Sequence, residues 1–138
     1  MPCERHVSSQ FLETLSSKLP NLEVLHISMN YLTNHILPSL EGFTSLKELY
    51  LWDIGLDSDV HMEALCSKLR NLELLDLSDN NFKHTDIVSA LSGLSSLKSL
   101  YLGNSGLTWR SISNISKLSY LETLDLDGNN LKESESIF

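Results

Sequence analysis

LRNLELLDLSDNNF (residues 69–82) states the organisation of this chain in fourteen residues. Leu72, Leu75 and Leu77 form an L-x-x-L-x-L frame, Asn80 stands three residues on, and Phe82 two further. The same frame occurs upstream at Leu22, Leu25, Ile27, Asn30 and Leu32, and at Leu46, Leu49, Leu51, Ile54 and Leu56. It occurs downstream at Leu97, Leu100, Leu102, Ser105 and Leu107, and at Leu121, Leu124, Leu126, Asn129 and Leu131. Successive copies start 24, 26, 25 and 24 residues apart, by subtraction of those first positions. Within each copy L-x-L has the period of a strand, with leucines on one side and the intervening residue on the other. One copy cannot bury its leucines alone, so the copies must stack and their strands must lie parallel. The asparagine stands where the chain leaves the sheet, and its amide can satisfy backbone groups that the turn leaves unpaired.

A spacing of this size lies in the range of leucine-rich repeats. The expected fold is an α/β leucine-rich-repeat solenoid, with a parallel sheet on its concave face and short α or 3₁₀ returns on its convex face. Apolar residues three and four apart mark the returns: Ile36, Leu40 and Phe43; Leu65 and Leu69; Ile87, Leu91 and Leu94; Ile112, Ile115 and Leu118. Phe11, Leu15 and Leu19 share that spacing, so residues of about 5–20 are expected to be helical with these three facing inward. The organisation reads as 1–21, the return of an incomplete preceding repeat; 22–131, five repeats; and 132–138, the start of another, with Ile137 in its return.

A doubled period overlies the single one. LSSKLPNLEVLHISMN (15–30) resembles LCSKLRNLELLDLSDN (65–80), and LEGFTSLKELYLWDIGL (40–56) resembles LSGLSSLKSLYLGNSGL (91–107). A two-repeat duplication accounts for this, although sequences built on one frame also resemble each other by chance. The turn position alternates accordingly, with Ile54 and Ser105 replacing asparagine. Gly55 and Gly106, which follow them, are expected to relax those turns and leave the second and fourth units locally irregular.

Composition narrows the function. The 138 residues are 41% apolar and 20% charged, which places the chain among globular proteins rather than disordered ones. A net charge of −8 argues against general affinity for nucleic acid. No apolar run reaches the roughly 18 residues needed to span a bilayer, so direct membrane insertion is not expected. The charged N-terminus, MPCERHVSSQFLETL, does not read as a secretory signal. Cys3 and Cys66 form neither a disulfide framework nor a metal motif. The five histidines (His6, His26, His35, His61, His84) are scattered, and Asp125-Leu126-Asp127-Gly128 lacks the remaining ligands of a calcium loop. No phosphate loop or nucleophile elbow is present. An enzyme is not expected, and neither is a cofactor or a metal.

LRNLELLDLSDNNF (69–82), LSSLKSLYLGNSGL (94–107) and LSYLETLDLDGNNL (118–131) resemble the repeats of plant leucine-rich-repeat receptor-like proteins and receptor-kinase ectodomains. The resemblance covers residues from about 12 to 138. It implies an extracellular module held at the plasma membrane, perceiving a protein or peptide ligand or meeting a co-receptor, with signalling passed to partners. The chain departs from that family's pattern in several ways. The glycine-isoleucine-proline run after the asparagine survives only as Ile36-Leu37-Pro38, and the paired-cysteine cap is missing. No polar cap follows the fifth unit. The expectation is a fragment or truncated product of such a receptor. The alternative is an intracellular leucine-rich-repeat adaptor or scaffold.

In this architecture partners use the outward strand residues. The central column is His26, Tyr50, Asp76, Tyr101 and Asp125; the next is Ser28, Trp52, Ser78, Gly103 and Asp127; beside it lie Met29, Asp53, Asp79, Asn104 and Gly128. Tyr and Trp are enriched at binding hot spots. The candidate partner site is therefore His26, Tyr50, Trp52, Asp53, Asp76, Asp79, Tyr101 and Asp125, suited to a partner with apolar and basic features, although such residues also suit exposed strands. Asn114-Ile115-Ser116 is a glycosylation sequon, with Asn114 expected to be exposed on a convex return. Asn and Ser are abundant enough for such a triplet to arise by chance.

Overall fold

The computed structural model describes residues 7–132. Cys3, His6 and the expected next return at Ile137 lie outside the described residues. Five strands, β1 (Val24–His26), β2 (Glu48–Tyr50), β3 (Leu74–Asp76), β4 (Ser99–Tyr101) and β5 (Thr123–Asp125), form one parallel sheet in chain order. The register holds Leu25, Leu49, Leu75, Leu100 and Leu124 level across all five. Pairing continues past each strand, as in Ile27 N–H to Tyr50 C=O at 3.1 Å and Met29 N–H to Trp52 C=O at 2.9 Å.

The returns are short, as spacings of three and four dictate. They are a 3₁₀ helix at Asn34–Leu40, α2 (Met62–Lys68), α3 (Ile87–Leu91), and 3₁₀ turns at Trp109–Ile112 and Ile115–Leu118. Between sheet and returns lies a core made of the frame leucines with Phe43, Met62, Phe82 and Leu94. Leu49 and Leu100 are fully buried, whereas Leu124 is 38% exposed, because nothing among the described residues packs on the far side of β5.

Upstream, α1 (Ser9–Lys18) starts at Ser8, whose hydroxyl accepts from Phe11 N–H at 3.0 Å. That cap phases the helix differently from the Phe11–Leu15–Leu19 row. Leu12 is the fully buried residue, while Phe11 and Leu19 are about half exposed at 54% and 46%. The row facing the next return is Leu12, Leu15 and Ser16, and Gly42 lies so close to Ser16 that a β-carbon there would collide with its hydroxyl.

The turn after each strand explains both periods. Met29, Asp53, Asp79, Asn104 and Gly128 all adopt left-handed backbone, with φ of 63, 56, 60, 49 and 77°. Asp, Asn and Gly are the residues that tolerate this conformation, and Met is not. All five units therefore leave the sheet the same way. They differ one residue past the turn position, where only Gly55 and Gly106 are left-handed, at 85° and 75°. The irregularity expected in the second and fourth units is confined to that residue.

Next to the left-handed residue the asparagines tie neighbouring units together. Asn80 Oδ1 accepts from Ile54 N–H at 3.2 Å and Leu56 N–H at 3.0 Å, and its Nδ2 donates to Leu51 and Leu77 carbonyls at 3.0 and 2.9 Å. Asn129 repeats the arrangement on Ser105, Leu107, Leu102 and Leu126. Ser105 donates its hydroxyl to Leu77 C=O at 3.4 Å and Gly103 C=O at 3.0 Å, and Ile54 forms no side-chain bond. At those junctions backbone carbonyls substitute: Ile54 C=O accepts from Leu32 and Thr33, and Ser105 C=O accepts from Phe82. The amide bridges thus join units two to three and four to five. The junctions between one and two, and between three and four, lack a turn-asparagine bridge; at the first of them Asn34 in the return bridges instead, its Nδ2 donating to Ser58 C=O at 3.0 Å and its Oδ1 accepting from Asp57 N–H at 3.1 Å.

Replacing Asn80 by Ala strands the Ile54 and Leu56 N–H groups and the Leu51 carbonyl, while Leu77 C=O keeps the Ser105 hydroxyl; the cost is on the order of 3 kcal/mol at 1–3 kcal/mol per unsatisfied buried group after partial relaxation. Urea melts should show Asn80→Ala losing clearly more stability than Ser105→Ala, for which about 1 kcal/mol is expected; equal losses would contradict the bridging role. Burial, with the Glu63 charge adding to it, pushes the Cys66 thiol up to about 12. Its raised folded value contributes stability that is present below the unfolded thiol's value near 9 and lost as pH rises towards 12. In a Cys3→Ser background, Cys66 should resist alkylation at pH 8 until the chain is unfolded; prompt labelling of the folded protein would contradict its burial.

Candidate functional site

The central column of the concave face is assembled by strand register alone. Each strand presents one residue opposite its buried leucine, so His26, Tyr50, Asp76, Tyr101 and Asp125 stand side by side across the sheet, at the roughly 4.8 Å spacing of neighbouring strands. The rings of His26 and Tyr50 lie 4.9 Å apart at a 36° tilt, and those of His26 and Trp52 lie 6.2 Å apart at 54°. These separations are those of favourable aromatic pairs. The result is one aromatic cluster over β1 and β2. Tyr101 is separated from it by Asp76 and stands apart.

The polar atoms around the cluster are held in place. The Tyr50 hydroxyl donates to Glu48 Oε1 at 2.8 Å. That bond, then burial, then the charges of Glu48 and its neighbours raise the Tyr50 phenol above its ordinary value. Ser28 Oγ accepts from Trp52 N–H at 3.1 Å, which fixes the backbone beneath the indole. Asp76 Oδ1 accepts from Ser78 N–H at 3.0 Å, and Asp125 Oδ1 from Asp127 N–H at 2.9 Å.

Two members of the expected site have a second reason to be there. Asp53 and Asp79 are exposed at the rim, but both are the left-handed residues of their turns. Their identity follows from backbone geometry as much as from any partner. Two residues outside the expected site join it. Glu48 orients Tyr50, and Met29 stands 67% exposed beside Asp53 while holding a left-handed backbone that methionine disfavours. Glu48 could be found from its place opposite Val24 and Leu74 in the frame; nothing in the sequence marks Met29. No Lys or Arg occupies positions 24–29 or their counterparts in the other four units; carboxylates stand at Glu48, Asp53, Asp76, Asp79, Asp125 and Asp127 and rings at His26, Tyr50, Trp52 and Tyr101.

Asn114 is half-buried rather than exposed. It precedes the 3₁₀ turn at Ile115–Leu118, and its Nδ2 donates to Asp86 Oδ2 of the preceding return at 3.2 Å. Among the described residues, no group of His, Cys, Asp and Glu could hold a metal ion, and no helix is long and apolar enough to cross a membrane.

Comparison with known proteins agrees with this geometry. The family model described as Leucine Rich Repeat matches residues 21–43, 71–94 and 120–138. Receptor-like protein 9b of Arabidopsis thaliana is 40% identical over 65 residues, covering 47% of this chain and 7% of that protein. The chain therefore spans a small part of the curated relative's length. Among solved structures, the leucine-rich-repeat ectodomain of the Arabidopsis thaliana membrane receptor kinase GASSHO1/SCHENGEN3, in complex with Casparian strip integrity factor 2, is 30% identical with a TM-score of 0.62. That match covers 86% of this chain and 14% of the ectodomain. An internalin C2 of Listeria monocytogenes, 20% identical with a TM-score of 0.51, covers 92% of this chain and 58% of its own, and shares the fold alone. The chain has the leucine-rich-repeat solenoid fold, and its sequence likeness is to plant receptor-like proteins and receptor-kinase ectodomains.

Proposed function

We propose that the chain is a ligand-perceiving module of a receptor-like protein on the outer side of the plasma membrane, and that a protein or peptide docks across its concave face. One observation carries this reading: the His26–Tyr50–Trp52 cluster opens onto a face with aspartates at 76 and 125 and no Lys or Arg among its outward columns. Rigid aromatic rings offer large contact area at little entropic cost, which is why they anchor interfaces. The carboxylates beside them favour a cationic partner group and speed its approach. The preferred ligand is an extended segment that places an apolar or aromatic side chain on Tyr50 and Trp52 and a Lys or Arg near Asp76. The likeness to a receptor-kinase ectodomain solved with a bound factor supports the same role.

Peptides selected from a displayed random library on the intact chain test this. The selected sequences should combine Lys or Arg with an apolar or aromatic residue. Trp52→Ala and Tyr50→Ala should each weaken them about tenfold or more, the loss typical of an anchor residue. Raising salt should weaken them further. Selected peptides indifferent to both substitutions would overturn the assignment.

A further inference from the structure

We infer that Asn114 carries an N-linked glycan whose first sugars lie in the groove between the third and fourth returns and clamp the junction between those units. The inference rests on the extracellular reading above and goes beyond it. Asn114-Ile115-Ser116 meets the acceptor requirement. The asparagine is not on an open flank but in the wall of a groove of about 370 Å³, with Lys83, Thr85, Thr108, Arg110 and Ser111 around it. Those side chains offer hydroxyl, ammonium and guanidinium donors where a sugar would present hydroxyl and carbonyl oxygens.

The amide geometry leaves room for the linkage. Nδ2 carries two hydrogens, and one is committed to Asp86 Oδ2. Transfer from a lipid-linked oligosaccharide diphosphate during secretion breaks the other N–H bond, forms the bond from Nδ2 to the sugar's C1, and releases the lipid diphosphate with the proton. The bond to Asp86 survives. Asp86 is a firm acceptor: hydrogen bonds from Ser89 first, then from Asn114, with the Lys117 ammonium nearby, hold its carboxyl below the ordinary value. The far wall is firm too, since Thr108 N–H donates to Ser111 Oγ at 2.9 Å.

The position of the groove gives the sugar a role. It straddles units three and four, the junction where Ser105 replaces the bridging asparagine. The convex side already compensates there with bonds between returns: Asn114 to Asp86, Lys117 Nζ to Ser89 Oγ at 3.1 Å, and Tyr120 Oη to Ser92 C=O at 3.1 Å. A sugar lying across Lys83 and Arg110 extends the same row.

The full chain, secreted from eukaryotic cells behind a cleavable leader, provides the test. Mass analysis should show one glycan that Ser116→Ala abolishes; Ser116 is exposed, so this change leaves the Asn114 side chain intact. Hydrogen exchange should then show amides of the three–four junction, Phe82 above all, slowed about threefold or more by the glycan relative to Ser116→Ala. Trimming to the first sugar should keep that protection, and Arg110→Ala should keep the glycan but lose the protection. Failure of secretion would count against the extracellular reading. Secretion without a glycan would overturn the modification alone. A glycan that leaves Phe82 exchange unchanged would overturn its place in the groove.

Discussion

A single unit of this chain has no interior. The frame leucine at the centre of its three-residue strand and the apolar residue two positions on point to one side, and only a neighbouring unit in the same register can cover them. The level row Leu25–Leu49–Leu75–Leu100–Leu124 is that register made physical. Because side chains alternate with period two, holding the leucines level also holds the outward residues level. The concave columns are thus a consequence of core packing. A slip of one residue would bury Tyr50 and Asp76 and expose Leu49 and Leu75.

The second requirement is a partner for backbone groups where each strand ends. An asparagine meets it with one side chain long enough to accept and donate across the junction at once; the short Ser105 hydroxyl only donates there, and isoleucine has no polar group. The alternation of Asn80 and Asn129 with Ile54 and Ser105 therefore places the turn-asparagine bridges at alternate junctions, between units two and three and between units four and five. The doubled period is visible as chemistry at the junctions and not only as likeness between stretches of sequence. Where the amide is missing, the load moves to backbone carbonyls and to bonds between returns on the convex side.

The leucine frame, the parallel sheet and the concave columns are legible in the sequence because each follows from a period. The inward row of α1 is not, because the cap at Ser8 sets the phase, and three apolar residues at permissible spacing, Phe11, Leu15 and Leu19, suggest a different face from the one that packs. The half-buried setting of Asn114 is not legible for a similar reason. Its partner, Asp86, lies 28 residues away, and only the stacking of returns brings them together. At the site, the gathering of His26, Tyr50 and Trp52 follows from register, whereas the tie of Tyr50 to Glu48 is a matter of side-chain geometry. Asp53 and Asp79 show the opposite limit: a residue on the right face can owe its identity to a left-handed backbone.

The two tryptophans give the concave-face account its most direct test. Trp52 stands in the aromatic cluster, while Trp109 begins a return and is half exposed. Their indole N–H signals can be followed separately by NMR, assigned through Trp109→Phe, while a basic, apolar peptide that binds the chain is titrated in. The account requires the Trp52 signal to shift in saturable fashion and that of Trp109 to stay in place. Movement of Trp109 with Trp52 unchanged would place the partner on the returns and contradict it.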